Sequence, residues 1–566
     1  MKRMSGSEPS IDTSAAPITT CDVAVVGYGP TGMMLAALLG RQGHHVVVLE
    51  RYDGLYNLPR AACFDDEIMR TFQKLGLVEA VMPGTVVQTD YEWVNGAGEM
   101  LLEVSYDSLA PGGWAALYMM YQPHLETVLD GFCRSLPTVE VRQGVVVDGL
   151  NMSDDRVELT AVGPGDVRSG VDARFVIGAD GGAGFVRPAL GVELVDYAFQ
   201  ENWLVCDFHK RRHLPAVPSF RQVCDPAQPI AIVRIGPEHH RFSFMLDPDE
   251  APGRATDPER VWERVAGYLS REDAELIRVA NYVFRSRIAE RWRSGPVMLA
   301  GDAAHEMPPF LAQGKGSGIR DSHNLAWKLD LVLTGRADAA VLDTYQVERE
   351  PHVRFITEKA IELGRVQTLR DPAAAHERDR RLIAQRRAEQ TPAKIVFPGL
   401  GAGLVASAAP HAGERFVQGV VARRGGEPQR FDDLLGSGPV IVARHREMLG
   451  ALSAAQVEFW QTLGGRVAVV GEPEQATKAD RAAENGDPVT AGADPRTGDH
   501  LLRQVIELVD VEQVYSEWFG ARDVEAVVVR PDWYVYGATA EVAGLSALLT
   551  ELASALRSPA RSAAPA

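Results

Sequence analysis

The stretch Val23–Arg51, VAVVGYGPTGMMLAALLGRQGHHVVVLER, carries the reading of the fold. Val23–Val26 is a β-branched run suited to a buried parallel strand, Thr31–Gln42 is small and apolar with helical spacing, and Val46–Leu49 is a second buried strand. Strand, turn, helix and strand in that order make a βαβ unit. The turn holds Gly27, Gly29 and Gly32 as GxGxxG, with Pro30 and Thr31 opening the helix. Gly27 permits the tight turn, Gly29 lets a pyrophosphate approach the backbone, and Gly32 lets helix and strand pack closely. The helix start then offers free N–H groups and a positive dipole end to phosphates. Glu50, at the end of the second strand, can accept from a ribose hydroxyl. A carboxylate there repels a 2′-phosphate, which disfavours NADP and leaves FAD or NAD; Arg51 next door softens that repulsion.

Outside this unit the chain has the character of a multidomain globular protein. It has 566 residues, 46% hydrophobic and 24% charged, with a formal net charge of −18. That charge argues against nucleic acid and anionic membrane as partners. Cys21, Cys63, Cys133, Cys206 and Cys224 are scattered without a CxxC or Cys/His cluster, so no metal site is expected and a cytoplasmic location is. No apolar stretch reaches the roughly 18 residues that span a bilayer. Residues 1–19 and 557–566 read as flexible tails.

Two further strands end in Gly/Asp turns: ARFVIGADGG (Ala173–Gly182) and GPVMLAGDAAH (Gly295–His305). Such turns at strand C-termini are where α/β sheets hold ligands. Between them, ENWLVCDFHK, IAIVRIG and HRFSFMLD alternate like half-buried antiparallel strands, which predicts a second sheet inserted into the first domain. A helical region is expected from Ser317 to Val366, interrupted near Gly335 and Pro351, then a solvated Arg/Glu/Ala-rich connector over Asp371–Gln390. After FPGLGAGLVAS, the runs GPVIVAR, RVAVVG and VEAVVVRPDWYVYG mark a separate small α/β module. The expected division is a module at 20–395 and a C-terminal domain at 396–556. Within the module, a dinucleotide part covers about 20–90, 117–190 and 287–395, and a substrate sheet about 91–116 and 191–286.

Five segments carry a resemblance: LYNLPRAACFDDEIMRTFQKLGL, YMMYQPHLETVL, GADGGAGFVR, LAGDAAHEMPPFLAQGKGSGIRD and YQVEREPH. Through them the chain resembles the FAD-dependent aromatic hydroxylases, the single-component flavoprotein monooxygenases like p-hydroxybenzoate hydroxylase, and among these the 3-(3-hydroxyphenyl)propionate hydroxylases. The resemblance is strong from Asp22 to His352 and looser beyond. It implies a Rossmann-like FAD-binding α/β domain with an inserted antiparallel sheet and a C-terminal thioredoxin-like domain. The last contains no cysteine, which excludes thioredoxin redox chemistry and leaves a structural or homodimer-contact role.

The resemblance also implies roles. Arg60 and Gln122 match positions that touch FAD, and Asp180 and Arg187 belong to a motif credited with FAD and NAD(P)H contacts. Asp302 would bond the ribitol–pyrophosphate region, or serve as a helix N-cap. Pro309, Gly314, Gly316, Ser317 and Gly318 belong to the loop whose N–H groups would face the flavin N1/O2 edge. Lys315 and Gly316 depart from the residues usual there. Trp203, Phe242, Phe244, Met245 and Phe310 are candidates for the substrate wall, with Arg234, Arg241 or Arg285 to meet a substrate carboxylate. His305, Tyr121 and Pro308 are candidates for the catalytic centre; packing is the alternative for His305.

The implied reaction is NAD(P)H-driven hydroxylation of a phenol through a flavin C4a-hydroperoxide, with NADPH or NADH as transient reductant and O2 as co-substrate. A phenolic acid of the hydroxyphenylpropionate type in aromatic catabolism is the first expectation. A tailoring hydroxylase of a large aromatic polyketide is the second. A flavin oxidase or a non-catalytic FAD-binding protein is the alternative class.

Overall fold

The computed structural model describes residues 18–247, 249–250, 252–390, 395–406, 408–436, 438–471 and 505–557. Of the two expected tails, 1–17 and 558–566 lie outside these residues. Ile18 and Thr19 already belong to the first strand, and Arg557 closes the last helix.

The first sheet runs in the order Arg293–Ser294, Val297–Leu299, Arg168–Gly178, Ile18–Val26, Val46–Glu50 and Val139–Gln143, with a two-strand antiparallel extension at one side. Its central pairs are parallel, Val25 lying against Ile177 on one side and Val48 on the other. Val23–Val26 and Val46–Leu49 are buried because helices cover the sheet. The fingerprint helix Pro30–Arg41 packs so closely that a Cβ on Gly32 would lie 2.1 Å from the Gly27 carbonyl oxygen.

The second sheet runs in the order His305–Glu306, Ala274–Ala289, Leu194–Lys210, His239–Met245, Ile230–Arg234, Phe220–Cys224, Asp90–Asn95 and Met100–Ser105. It is antiparallel except where Phe220–Cys224 runs parallel to Asp90–Asn95. One face packs Leu204, Phe208, Ile232, Phe242 and Phe244 against Val261 and Val265 of the helix Pro258–Val265. The other face looks back at the first domain.

The helix Gly314–Leu333 lies beside the fingerprint helix, and Thr344–Gln367 follows it. The expected interruption at Pro351 does not occur, because the proline is carried inside the second helix. Pro351 sits on the solvent face, and Val347, whose carbonyl loses its N–H partner there, is exposed as well. The connector forms the helix Pro372–Arg387, capped by Asp371, which accepts from the Ala374 N–H at 2.7 Å.

The C-terminal domain holds a seven-stranded sheet in the order Gln429–Arg430, Val420–Arg423, Ile506–Asp510, Arg466–Gly471, Val440–Ala443, Ala526–Val529 and Val535–Thr539. Three adjacent strands are parallel, and the last two form an antiparallel hairpin. A buried charge network bolts it to the first module. Arg530 reaches Glu348 and Asp532, each at 2.7 Å, Lys328 reaches Glu348 at 2.7 Å, and Arg70 grips Asp432 at 2.6 Å.

Candidate active site

A single cleft of about 2140 Å³ runs from the glycine fingerprint to the inner face of the second sheet. At its fingerprint end, Gly27 has φ +103°, and a Cβ there would lie 2.4 Å from the Ala179 carbonyl oxygen. Gly29 differs: it faces the cleft, and a Cβ would meet nothing within 4 Å. Gly29 also caps the helix Pro30–Arg41 without a side-chain bond, so the first N–H groups remain free for an anion. Glu50 lines the cleft while accepting from Tyr28 N–H at 2.7 Å and Tyr52 N–H at 3.0 Å. Arg51 lies over the Tyr52 ring at the rim.

The other Gly/Asp turns converge here. Asp180 lines the cleft and accepts from Val186 N–H at 2.9 Å; burial raises its pKa. Asp302 opens onto the cleft, and the protein crowded around it raises its pKa as well. Arg187 does not reach the cleft. It donates to the Ala303 carbonyl at 3.0 Å and the Gly182 carbonyl at 2.6 Å, clamping the two turns together. Thr31 is the hub: a Cβ on Gly301 would sit 2.6 Å from its Oγ1, and one on Gly318 would sit 2.3 Å from it. Gly301 and Gly318 are small because the turn and the helix Gly314–Leu333 press on this one side chain. Pro309 and Gly314 line the cleft, whereas Gly32, Gly316, Ser317 and Gly318 are behind its wall.

Arg60 and Gln122 both line the cleft and share Glu126, at 2.6 and 2.7 Å. Gln122 also accepts from Ala61 N–H at 2.6 Å. The residues before Arg60 are pinned from the second sheet. The buried carboxylate of Asp207 accepts from Arg241 at 2.6 Å and Arg278 at 3.3 Å, and both arginines donate to the Pro59 carbonyl. Sequence reading did not find Asp207 or Arg278.

Several expected site residues are placed elsewhere. His305 is fully buried, bonded to Asp321 at 2.6 Å; Asp321 also receives Arg349 at 2.9 Å and Gly301 N–H at 3.0 Å. Burial alone would raise the pKa of Asp321, but His305 and Arg349 hold it down at about 2. His305 therefore braces the Gly301–Ala303 turn through Asp321 and does not line the cleft. Tyr121 stacks on His239 at 3.7 Å between ring centres, outside the cleft lining. Phe242 and Phe244 face the opposite side of their strand, in the core. Arg234 turns to the Gly236 carbonyl at 3.3 Å, and Met245 is outside the lining too, its carbonyl receiving Arg370 at 3.3 Å.

Trp203, Pro308 and Phe310 do line the cleft. Trp203 and Phe310 meet edge to face at 6.0 Å. The rest of this chamber comes from residues that sequence reading missed: Tyr91, Phe220, Gln222, Ser243, Tyr282 and Phe284. Across the sheet, Gln222, Ala231, Ser243 and Val205 fall in one register row, giving a floor of small side chains with two neutral polar groups.

The fit to an adenine dinucleotide rests on the open approach at Gly29, the uncapped helix start and the size of the cleft. Residues 20–360 match the FAD binding domain family, and 413–555 match the HcaD C-terminal domain family. This chain belongs to the FAD-binding aromatic hydroxylase family.

Its similarity to known hydroxylases extends over nearly the whole chain. It is 51% identical over 546 residues to a probable NADH-specific resorcinol 4-hydroxylase of Rhodococcus jostii (strain RHA1), covering 96% of this chain and 97% of that one. It is 34% identical over 527 residues to a 3-(3-hydroxy-phenyl)propionate/3-hydroxycinnamic acid hydroxylase of Mycolicibacterium gilvum (strain PYR-GCK), covering 91% and 88%. Among solved structures, aklavinone-11 hydroxylase with FAD and aklavinone superposes with a TM-score of 0.72 at 26% identity, covering 94% of this chain and 98% of that one. The family match gives FAD as the cofactor of this chain. Among the described residues, no helix is long and apolar enough to cross a membrane.

Proposed function

We propose that this hydroxylase acts on a small neutral phenol of the resorcinol type, with NADH as reductant and O2 as co-substrate. One observation carries the reading: beside the aromatic chamber, the three arginines named as candidates for a substrate carboxylate are turned away or already engaged. Arg234 faces away, Arg285 is exposed on the outer side, and Arg241 is engaged by Asp207 and by the Pro59 and Arg60 carbonyls. The chamber offers instead Ser243 and Gln222, neutral groups that suit a hydroxyl, between the aromatic walls Trp203, Phe284 and Phe310. The 51% identical relative, named for resorcinol and NADH, supports both the diol and the choice of reductant.

FAD supplies electron transfer from NADH to O2. Gly27–Thr31, Glu50, Arg60, Gln122, Asp180, Asp302 and Gly314 would hold it. The unbonded N–H groups at the start of the helix Gly314–Leu333 orient positive dipole toward the cleft. Trp203, Phe284, Phe310 and Pro308 exclude water from the chamber. The Asp207–Arg241–Arg278 cluster orients the Pro59–Arg60 segment, and so ties the substrate sheet to the flavin site. The C-terminal domain, read as thioredoxin-like in fold and without thiols, has a structural and self-association role. A cytoplasmic, catabolic setting accompanies this reading.

The test is NADH oxidation by the FAD-loaded enzyme across a panel of phenols, with product measured by chromatography. Resorcinol should stimulate turnover and give equimolar hydroxylated product. Faster, better coupled turnover of 3-hydroxyphenylpropionate would overturn the neutral-substrate reading, and peroxide as sole product with every phenol would overturn the hydroxylation.

A further inference from the structure

Lys315 is a cleft lysine whose ammonium sits among a thioether and an aromatic ring. It is the second residue of the helix Gly314–Leu333, and it lines the cleft. Its ammonium lies 2.8 Å from the Met120 sulfur and 5.0 Å from the centre of the Phe64 ring. Among the described residues it forms no ion pair, while nearby Glu126 is taken by Arg60 and Gln122, and Asp65 by Arg320.

Two physical terms oppose a cation at this position. Apolar and thioether neighbours desolvate it. The positive end of a 20-residue helix repels it. Asp65 and Glu126 act on it only from a distance, with no ion pair among the described residues. Burial accordingly pushes its pKa down to about 7, with Cys63 and Asp65 pulling the other way. An ammonium held in such surroundings gains from any anion that enters the cleft beside it. Neighbouring Gly314 and Gly316 keep bulk away from the same turn, leaving the ammonium as the side chain that reaches out of it.

We propose that Lys315 is the counter-charge for a delocalised ring anion in the cleft, the charge left either on the cofactor ring by reduction or on a phenol by loss of its proton. Both sources present the same chemistry, a planar ring with negative charge spread over its heteroatoms. The apolar surroundings make one ammonium effective against such an anion, because the interaction is little screened there. Lys315 thereby stabilises a charge that forms during the reaction and is absent from the resting protein. The inference rests on the phenol reading only for one of its two sources.

The experiment compares wild type with Lys315→Met and Lys315→Arg, without turnover. Methionine is close in length and matches the Met120 and Phe64 surroundings. Two quantities are read on the FAD-loaded proteins. One is the reduction potential of bound FAD under anaerobic conditions. The other is the ionisation constant of bound 4-nitrophenol, followed by phenolate absorbance.

Lys315→Met should shift one of them at least tenfold toward the neutral or oxidised form, about 30 mV for a two-electron couple. A shift in potential assigns the cofactor ring, a shift in the nitrophenol constant assigns the phenol, and Lys315→Arg should recover most of either. The melting temperature of the apoprotein should stay level or rise in Lys315→Met, the reverse of what a packing role gives. Both constants within twofold of wild type, or an apoprotein that melts lower with no shift in either, would overturn the proposal. Should wild type fail to bind nitrophenol, the potential alone decides, and failure of the resorcinol assay leaves this outcome unaffected.

Discussion

Gly27 and Gly29 stand two residues apart and answer to different neighbours. At Gly27 the backbone has φ +103° and the Ala179 carbonyl closes over it, so any side chain strains the fold itself. At Gly29 the space belongs to the cleft. Gly27→Ala should therefore lower the melting temperature of the apoprotein. Gly29→Ser should keep it, since serine is a good N-cap, while weakening FAD at least tenfold by projecting into the space for phosphate. Thermal melts of apoprotein and fluorescence titration with FAD separate the two. These glycines were legible from sequence because the geometry they serve is local to one turn. His305 was not: its ring is bonded to Asp321, sixteen residues away on another element, and nothing in GDAAH shows that partner.

At the scale of an element, the strand His239–Met245 shows how alternation can be read while its faces stay unassigned, since Phe242 and Phe244 lie on one face and Met245 and Arg241 on the other. Aromatic side chains looked like the wall of an aromatic site, and that put Phe242 and Phe244 in it. The helix Pro258–Val265 covers that face, so the phenylalanines became core, and Arg241 and Ser243 were left to line the cleft. A period of two fixes which residues share a side; what packs on each side fixes which one is the site. Phe242→Ala should cost about 3–5 kcal/mol by urea denaturation. It should leave KM for the phenol close to wild type in whatever fraction folds. Ser243→Val should do the reverse, holding stability within about 0.5 kcal/mol and raising KM several-fold with FAD affinity unchanged. The Pro351 helix teaches the same lesson about elements: a proline on a wet face does not end a helix that is anchored on its other side.

Over the whole molecule, buried ion clusters join parts far apart in sequence. Glu348 accepts from Lys328, Asn324 and Arg530, each at 2.7 Å, and from Leu404 N–H at 2.8 Å. Removing its charge leaves Lys328 and Arg530 buried beside an incomplete partner, so Glu348→Gln should destabilise by about 3–5 kcal/mol in urea melts. Acid should act on the same clusters. Burial favours the neutral form of Glu67 and Asp321, but Arg320 and Arg415 outweigh it for the first, and His305 and Arg349 for the second, and both stand at about 2. Groups depressed in the folded state stabilise it fully above their unfolded values near 4, and this contribution disappears as pH falls toward 2. Urea midpoints should therefore drop between about pH 4.5 and 2, and Asp321→Asn should flatten part of that slope. The amino-acid order alone determined the dinucleotide fold, the converging Gly/Asp turns and the cofactor class, because each depends on spacing within a short segment. The tertiary structure decided which side chains line the cleft, which charges are already engaged and that Lys315 faces the cleft with no ion pair among the described residues, because those depend on what the rest of the chain packs against them.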